Sequence, residues 1–160
     1  MSETNELAGK LRSEGEKFYT FFEGLTDNQW TIEVYTEGTV WSIRSILAHF
    51  MTTERAFISL FTEILDGGVG VTEDFIIDRY NASQQRKTKE MGRKELLGQY
   101  KLMREEMIKF VFNLTDTDLE KIGRHPYLGM TTLREMIKMI YIHNQIHFRD
   151  IKKVLITEHE

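Results

Sequence analysis

The feature that most limits this chain is the near absence of helix breakers: a single proline, Pro126, occurs in 160 residues. Proline interrupts a helix by removing a donor and clashing with the preceding turn, so its scarcity leaves long stretches free to stay helical. Four stretches carry apolar residues at helical spacing. The first is expected from roughly Glu6 to Glu23, with Leu7, Leu11, Phe18, Phe21, Phe22 and Leu25 fitting the period imperfectly. The second, roughly Ser42 to Leu65, has a clean stripe through Ile43, Ile46, Leu47, Phe50, Phe57, Leu60, Phe61 and Ile64. Ser42 is its expected N-cap and Gly67-Gly68 its stop.

The third helix is expected from roughly Gly92 to Leu114, with Leu96, Tyr100, Met103, Met107, Phe110 and Val111 on one face. The fourth, roughly Leu133 to Leu155, opens with a capping-box pattern, Thr132 and Glu135. Its stripe is Leu133, Met136, Ile137, Ile140, Ile151 and Val154. Four amphipathic helices in a chain of this size can bury their stripes only against one another. The expected fold is therefore all-α, a four-helix bundle forming one domain over residues 1–160, with Val71 to Met91 as a long crossover between helices 2 and 3. A short echo, Leu25-Thr26-Asp27 and Leu114-Thr115-Asp116, places a capped turn after the first and third helices and suggests two related halves.

A formal charge of -4 gives no excess of basic residues, and so argues against nucleic acid as a partner. The one basic run, Arg86, Lys87, Lys89, Arg93 and Lys94, lies among polar residues and reads as a solvated linker. The chain has no cysteine, which removes disulfides, thiolate ligands and a cysteine nucleophile; any thiol chemistry would need its sulfur from a small molecule. The first residues lack the pattern of a signal peptide, and no apolar run approaches the ~20 residues that span a bilayer, so the expected location is cytoplasmic, with no membrane contact.

Of five histidines, His159 belongs to a tail expected to be disordered. His143 and His147 are four apart, one helical turn on one face, and continue the stripe from Ile140 toward Ile151. Two imidazoles so placed can reach one metal ion. Two separately hydrogen-bonded core histidines are the other reading. His49 lies beside the second stripe, stacked at helical spacing with Ile46 and Thr53, and can also face inward. Three inward histidines on two helices would leave a further coordination position open for water or substrate. A carboxylate di-iron site is disfavoured, because no Glu-x-x-His pair occurs.

The segments Trp41-Ser42-Ile43-Arg44-Ser45-Ile46-Leu47-Ala48-His49 and His143-Asn144-Gln145-Ile146-His147 resemble the DinB-like (DinB/YfiT) superfamily, as does the approach to the last helix, His125 to Glu135. The resemblance covers nearly the whole chain. It implies a four-helix bundle with one metal-binding histidine in the second helix and a His-x-x-x-His pair in the last, here His49, His143 and His147. Members of that superfamily often carry Asp where this chain has Asn144, an amide that accepts and donates hydrogen bonds but adds no negative charge. Asp150 reads either as an outer partner of an imidazole or as a surface carboxylate. His125 is expected to be structural or on the surface, and Glu54 to belong to a solvated face; Tyr141 is ambiguous.

The resemblance implies a divalent metal ion (Zn, Ni or Fe) and a low-molecular-weight thiol as cofactors. The reaction expected first is S-transfer from that thiol to a small electrophilic substrate. Metal-dependent hydrolysis and non-catalytic metal or small-molecule binding are the alternatives. A homodimer formed through Phe75, Ile76 and Ile77 is a further expectation, although those residues could equally cap the core from the crossover.

Overall fold

The computed structural model describes residues 2–159, with side chains as far as Thr157. The expectation of a disordered tail at His159 falls on a side chain outside the described residues. In chain order the elements are α1 (Glu3–Glu23), α2 (Asp27–Trp30), β1 (Glu33–Tyr35), β2 (Trp41–Ser42), α3 (Ile43–Leu65), α4 (Ile77–Lys87), α5 (Arg93–Phe112), α6 (Asp116–Leu119), β3 (Ile122–His125), β4 (Gly129–Thr132) and α7 (Leu133–His159). The long helices α1, α3, α5 and α7 form the expected bundle.

Local chemistry explains most of the boundaries. Ser2 accepts from the Asn5 amide and starts α1 a few residues earlier than the apolar period suggests. Ser42 and Ser45 form a reciprocal capping box at α3. The sequence echo is real structure: Thr26 with Gln29 and Thr115 with Asp118 form matching capping boxes on α2 and α6. Each short helix leads into an antiparallel hairpin, β1 with β2 and β3 with β4, pairings that apolar periodicity did not reveal. The β3–β4 hairpin runs from Ile122 opposite Thr132 to His125 opposite Gly129, and Gly129 supplies the positive φ of 75° that closes its turn.

Two hydrophobic clusters fill the bundle. One joins Leu7, Leu11, Leu60, Ile64, Met107, Val111, Ile137 and Ile140; the other joins Phe18, Phe22, Ile46, Phe50, Leu96, Tyr100, Phe148 and Ile151. The starts of α1 and α7 thus meet the ends of α3 and α5. So α1 and α7 run one way and α3 and α5 the other. Parallel α3 and α5 cannot be joined by a tight turn, which is why the chain needs its crossover. That segment is anchored at both ends. Gly70 bridges Arg124 of β3, so closely that a Cβ there would lie 2.3 Å from the Arg124 nitrogen. At the far end Arg44 of α3 donates to the Thr88 and Met91 carbonyls, both at 2.7 Å.

Between the two clusters lies a buried polar layer to which every long helix contributes: Glu14 from α1, Glu54 from α3, Arg104 from α5 and Asn144 from α7. This corrects the expectation that Glu54 is solvated, since only 2% of its surface is exposed. Arg104 pairs with the Glu54 carboxylate and donates to the Leu11 carbonyl at 3.0 Å, and the hydrogen-bond network assigns the Asn144 amide the orientation in which its oxygen accepts from Arg104 at 2.7 Å. The same amide donates to the Ile140 carbonyl at 3.1 Å. Burial pushes the Glu54 carboxyl above its usual range, and the Arg104 charge opposes that rise. Arg104 reaches the layer across α1 at Gly15, where a Cβ would come within 2.7 Å of its Cγ.

The basic run is only partly a linker. Arg86 and Lys87 end α4, while Arg93 donates to the Glu23 and Leu25 carbonyls at the end of α1, pairs with Asp27 and covers the Trp30 ring at 4.8 Å. No helix among the described residues is long and apolar enough to cross a membrane.

Candidate metal centre

On α7 the buried line passes through Ile137, Ile140, Asn144, Phe148 and Ile151. His143 and His147 are one step round the helix from it, half-buried on its flank, which refines the expectation that they lie in the core stripe itself. They meet His49, which α3 presents from the buried side. His143 Nε2 lies 3.0 Å from His49 Nε2 and 2.9 Å from His147 Nε2. One donor nitrogen from each of the three falls within 4.8 Å of the others, an arrangement that can hold a metal ion.

The outer sides of two rings are also held. Tyr35, from β1, donates its only hydroxyl proton to Asp150 Oδ2 at 2.6 Å, while its oxygen lies 2.7 Å from His147 Nδ1. His147 Nδ1 must therefore be the donor in that contact, which leaves an unprotonated Nε2 facing the other histidines. Thr53 holds His49 Nδ1 at 3.2 Å. With a lone pair on His147 Nε2, only a proton on His143 Nε2 makes their contact a hydrogen bond. A nitrogen that donates to His147 can neither donate the same proton to His49 nor accept one from it, so one of the two close nitrogen–nitrogen contacts cannot be a hydrogen bond. A cation seated among the three nitrogens removes the conflict, and neutral imidazoles with anchored outer nitrogens are the donor set that zinc, nickel or iron accepts.

The electrostatics point the same way. Burial lowers the pKa of His49 well below 6.5, helped by the neighbouring His143 and His147. Burial lowers His143 to about 3, with repulsion from His147 and His125 adding to it. Burial lowers His147 to about 4, against the pull of Asp150. All three rings are thus neutral at pH 7, the state a metal ligand needs.

The cluster opens on a cavity of about 400 Å³ walled mainly by apolar groups, among them Phe57 and Leu60 of α3, Phe75 and Ile77 of the crossover and Met139 of α7. Phe75 and Ile77 therefore face inward as part of this wall; Ile76 is half exposed. Trp41 of β2 covers the His49 ring at 4.9 Å. His125, expected to be structural or superficial, is buried at the end of β3 and lines the same cavity. Asp150 is an outer partner, but through Tyr35, a residue no motif had singled out. Tyr141 packs beside the other end of the bundle with Lys10 over its ring.

The DinB superfamily family model matches residues 10–151. The chain belongs to the DinB superfamily. Its fold resembles that of YfiT from Bacillus subtilis, described as a probable metal-dependent hydrolase with an unusual four-helix bundle topology. That match has a TM-score of 0.76 and 16% identity, and covers 96% of this chain and 87% of the other. A second match is the colibactin self-resistance protein ClbS, solved in complex with a double-stranded DNA, at a TM-score of 0.72 and 14% identity, covering 96% and 97% of the two chains. At these identities the likeness carries the fold alone. The DNA belongs to what is known of ClbS, and the acidic balance of the present chain remains an argument from composition. No curated protein sequence matches the chain.

Proposed function

We propose that this DinB superfamily protein is a divalent-metal-dependent enzyme, that His49, His143 and His147 are its metal ligands, and that it transfers a low-molecular-weight thiol to a small, uncharged electrophile. The observation that carries the reading is the convergence of three imidazole nitrogens that cannot satisfy one another. A divalent cation there would supply Lewis acidity, holding a sulfur or oxygen nucleophile as its anion at neutral pH. The chain's own part is to orient and enclose. Tyr35 with Asp150, and Thr53, fix two of the rings, and Trp41 shields His49. The apolar cavity takes the body of the substrate and excludes water from the nucleophile.

Two features favour a thiol over water as the nucleophile. No Asp or Glu is among the residues lining the cavity, so the wall offers no carboxylate base to assist a water. The chain has no cysteine that could compete for the metal or form a mixed disulfide with the cosubstrate. Hydrolysis is the second reading, favoured by the structural likeness to YfiT, and it would use the same ligands.

The test is elemental analysis of protein purified without a metal-affinity tag, beside a His143→Ala/His147→Ala double variant. The expected result is about one transition metal per chain in the wild type and none in a variant that still folds, followed by thiol-dependent consumption of an electrophile. Turnover that ignores added thiol would move the assignment to hydrolysis. No metal after incubation with zinc and nickel would defeat both.

A further inference from the structure

We propose that His125 is the hydrogen-bond donor that orients the ligand in this cavity, and that the ligand is an apolar molecule carrying an acceptor oxygen of carbonyl type. The proposal shares with the preceding reading the premise that this cavity takes the ligand, but it needs neither the metal nor turnover.

The argument starts from the β3–β4 hairpin. His125 Nδ1 accepts from the backbone amides of Tyr127 and Leu128, both at 3.0 Å. A ring nitrogen that accepts two amides has no proton of its own, so the proton of the neutral imidazole must be on Nε2. The hairpin thus fixes the tautomer. Phe57 fixes the ring plane, stacked at 5.1 Å and 27°. The residue is 3% exposed, and Nε2 is buried with no hydrogen-bond partner in the protein. Folded chains rarely leave a buried N–H unsatisfied, because it has lost water and gained nothing in return.

A purely structural role explains the Nδ1 contacts and the stacking on Phe57. It does not explain Nε2, whose proton has no partner in the protein. The residue's place beside the cavity offers that proton a partner. His125 lines the same cavity as His49, His143 and His147. Burial lowers its pKa to about 4, so it stays neutral at pH 7. With Nδ1 occupied it can donate but cannot act as a base. No Asp, Glu, Lys or Arg lines the cavity. The ligand that fits is therefore uncharged, mostly apolar, and equipped with an oxygen that accepts one hydrogen bond.

The experiment uses the full chain after chelation of metal, with acetophenone and α-methylstyrene as probes; they share one shape and differ in carrying oxygen or a methylene at the same place. Affinities are read by titration and the His125 ring by ¹H–¹⁵N spectra. The expected result is a preference for the ketone of about tenfold, with the Nε2–H resonance moving only when the ketone binds. His125→Asn keeps an oxygen for the hairpin amides, while its amide nitrogen stops short of the Nε2 position. It should fold, should still respond to zinc, and should bind both probes alike. Equal affinities in the wild type, a preference that survives in His125→Asn, an unmoved Nε2–H, or no binding of the ketone would each overturn the proposal. Failure of the wild type to bind zinc would defeat the metal reading and leave this one standing.

Discussion

Two groups of polar side chains share the interior of this bundle, and they are close neighbours in sequence: Asn144 follows His143, and Glu54 lies five residues beyond His49. In the polar layer, Arg104 brings a positive charge to the Glu54 carboxylate, and its remaining donors find the Leu11 carbonyl and the Asn144 oxygen. Three buried oxygens, Glu14 Oε2, Glu54 Oε2 and the Tyr100 hydroxyl, have no side-chain partner, and Tyr100 and Arg104 border a cleft of about 260 Å³ between α1 and α5. The histidine cluster has no such internal answer. It gathers three groups of one kind, holds two of them from behind and leaves their inner nitrogens in conflict. The contrast separates what the chain completes for itself from what it leaves for something else to complete. The layer ties all four long helices together at one level, and the cluster uses the rigidity of α3 and α7 that results.

If that division is right, the largest effect on stability comes from the layer. Arg104→Met leaves a carboxylate buried without its cation and should cost about 3–5 kcal/mol in chemical denaturation. Zinc bound per folded molecule should change little. A variant as stable as the wild type would show that the layer is not what holds the helices in register.

The two regions should also answer acid with opposite signs. Native His143 and His147 have pKa values lowered from 6.5 to about 3 and about 4, so unfolding takes up protons between those limits. Their contribution to stability is present above pH 6.5 and is lost as pH falls through the native values. Glu54 has a raised native pKa, so acidification does not weaken its side of the fold. Metal-free protein should melt lower at about pH 4.5 than at about pH 7, by roughly 5 °C or more. The His143→Ala/His147→Ala variant should show a shallower slope. Equal slopes in the two proteins would place the acid sensitivity elsewhere.

Behind the cluster, Tyr35→Phe removes the hydroxyl that joins His147 to Asp150 while keeping the ring that packs beside Trp41. Zinc affinity should fall by about 10–100-fold, the range seen when an outer partner of a ligand is lost. The melting temperature of the metal-free protein should barely move. An unchanged zinc affinity would mean that Tyr35 only packs.

How far these regions could be read from sequence follows from the same contrast. The bundle was legible because burial of apolar stripes is periodic, and the histidines because four residues make one helical turn. The layer interrupts the stripes with polar residues, and only on α1 does the interruption show, as an imperfect period. Glu14 and Gly15 fill the gap between Leu11 and Phe18 on α1, Arg104 continues the line from Tyr100 to Met107, and Asn144 holds the place between Ile140 and Phe148. A charged residue in an apolar stripe has two local explanations, a solvated face or a buried pair, and only the partner helix decides. Tyr35 was invisible for another reason. It comes from a hairpin more than a hundred residues from the histidine it holds, and no periodicity links a short strand to a helix so far along the chain.

The smallest effect concerns Asn144, where resemblance to the superfamily would often put Asp. The position is in the layer, facing Arg104 rather than the cavity, so the amide's lack of charge bears on the fold more than on the metal. A second carboxylate beside one guanidinium that already serves Glu54 should destabilise Asn144→Asp modestly, and the loss should grow as pH rises and the new group ionises. Glu54→Gln alone leaves Arg104 without its anion and should also destabilise. Combined, the substitutions move the carboxylate from α3 to α7 and keep one charge of each sign. The double variant should be more stable than the sum of the single losses allows, with a coupling of about 1 kcal/mol or more. Zinc affinity should stay within about tenfold of wild type throughout, less than for Tyr35→Phe. Additive losses would mean that Glu54 and Asn144 do not share Arg104. A fall in zinc affinity as large as that of Tyr35→Phe would mean that the layer tunes the metal site directly, and the division between the two regions would fail.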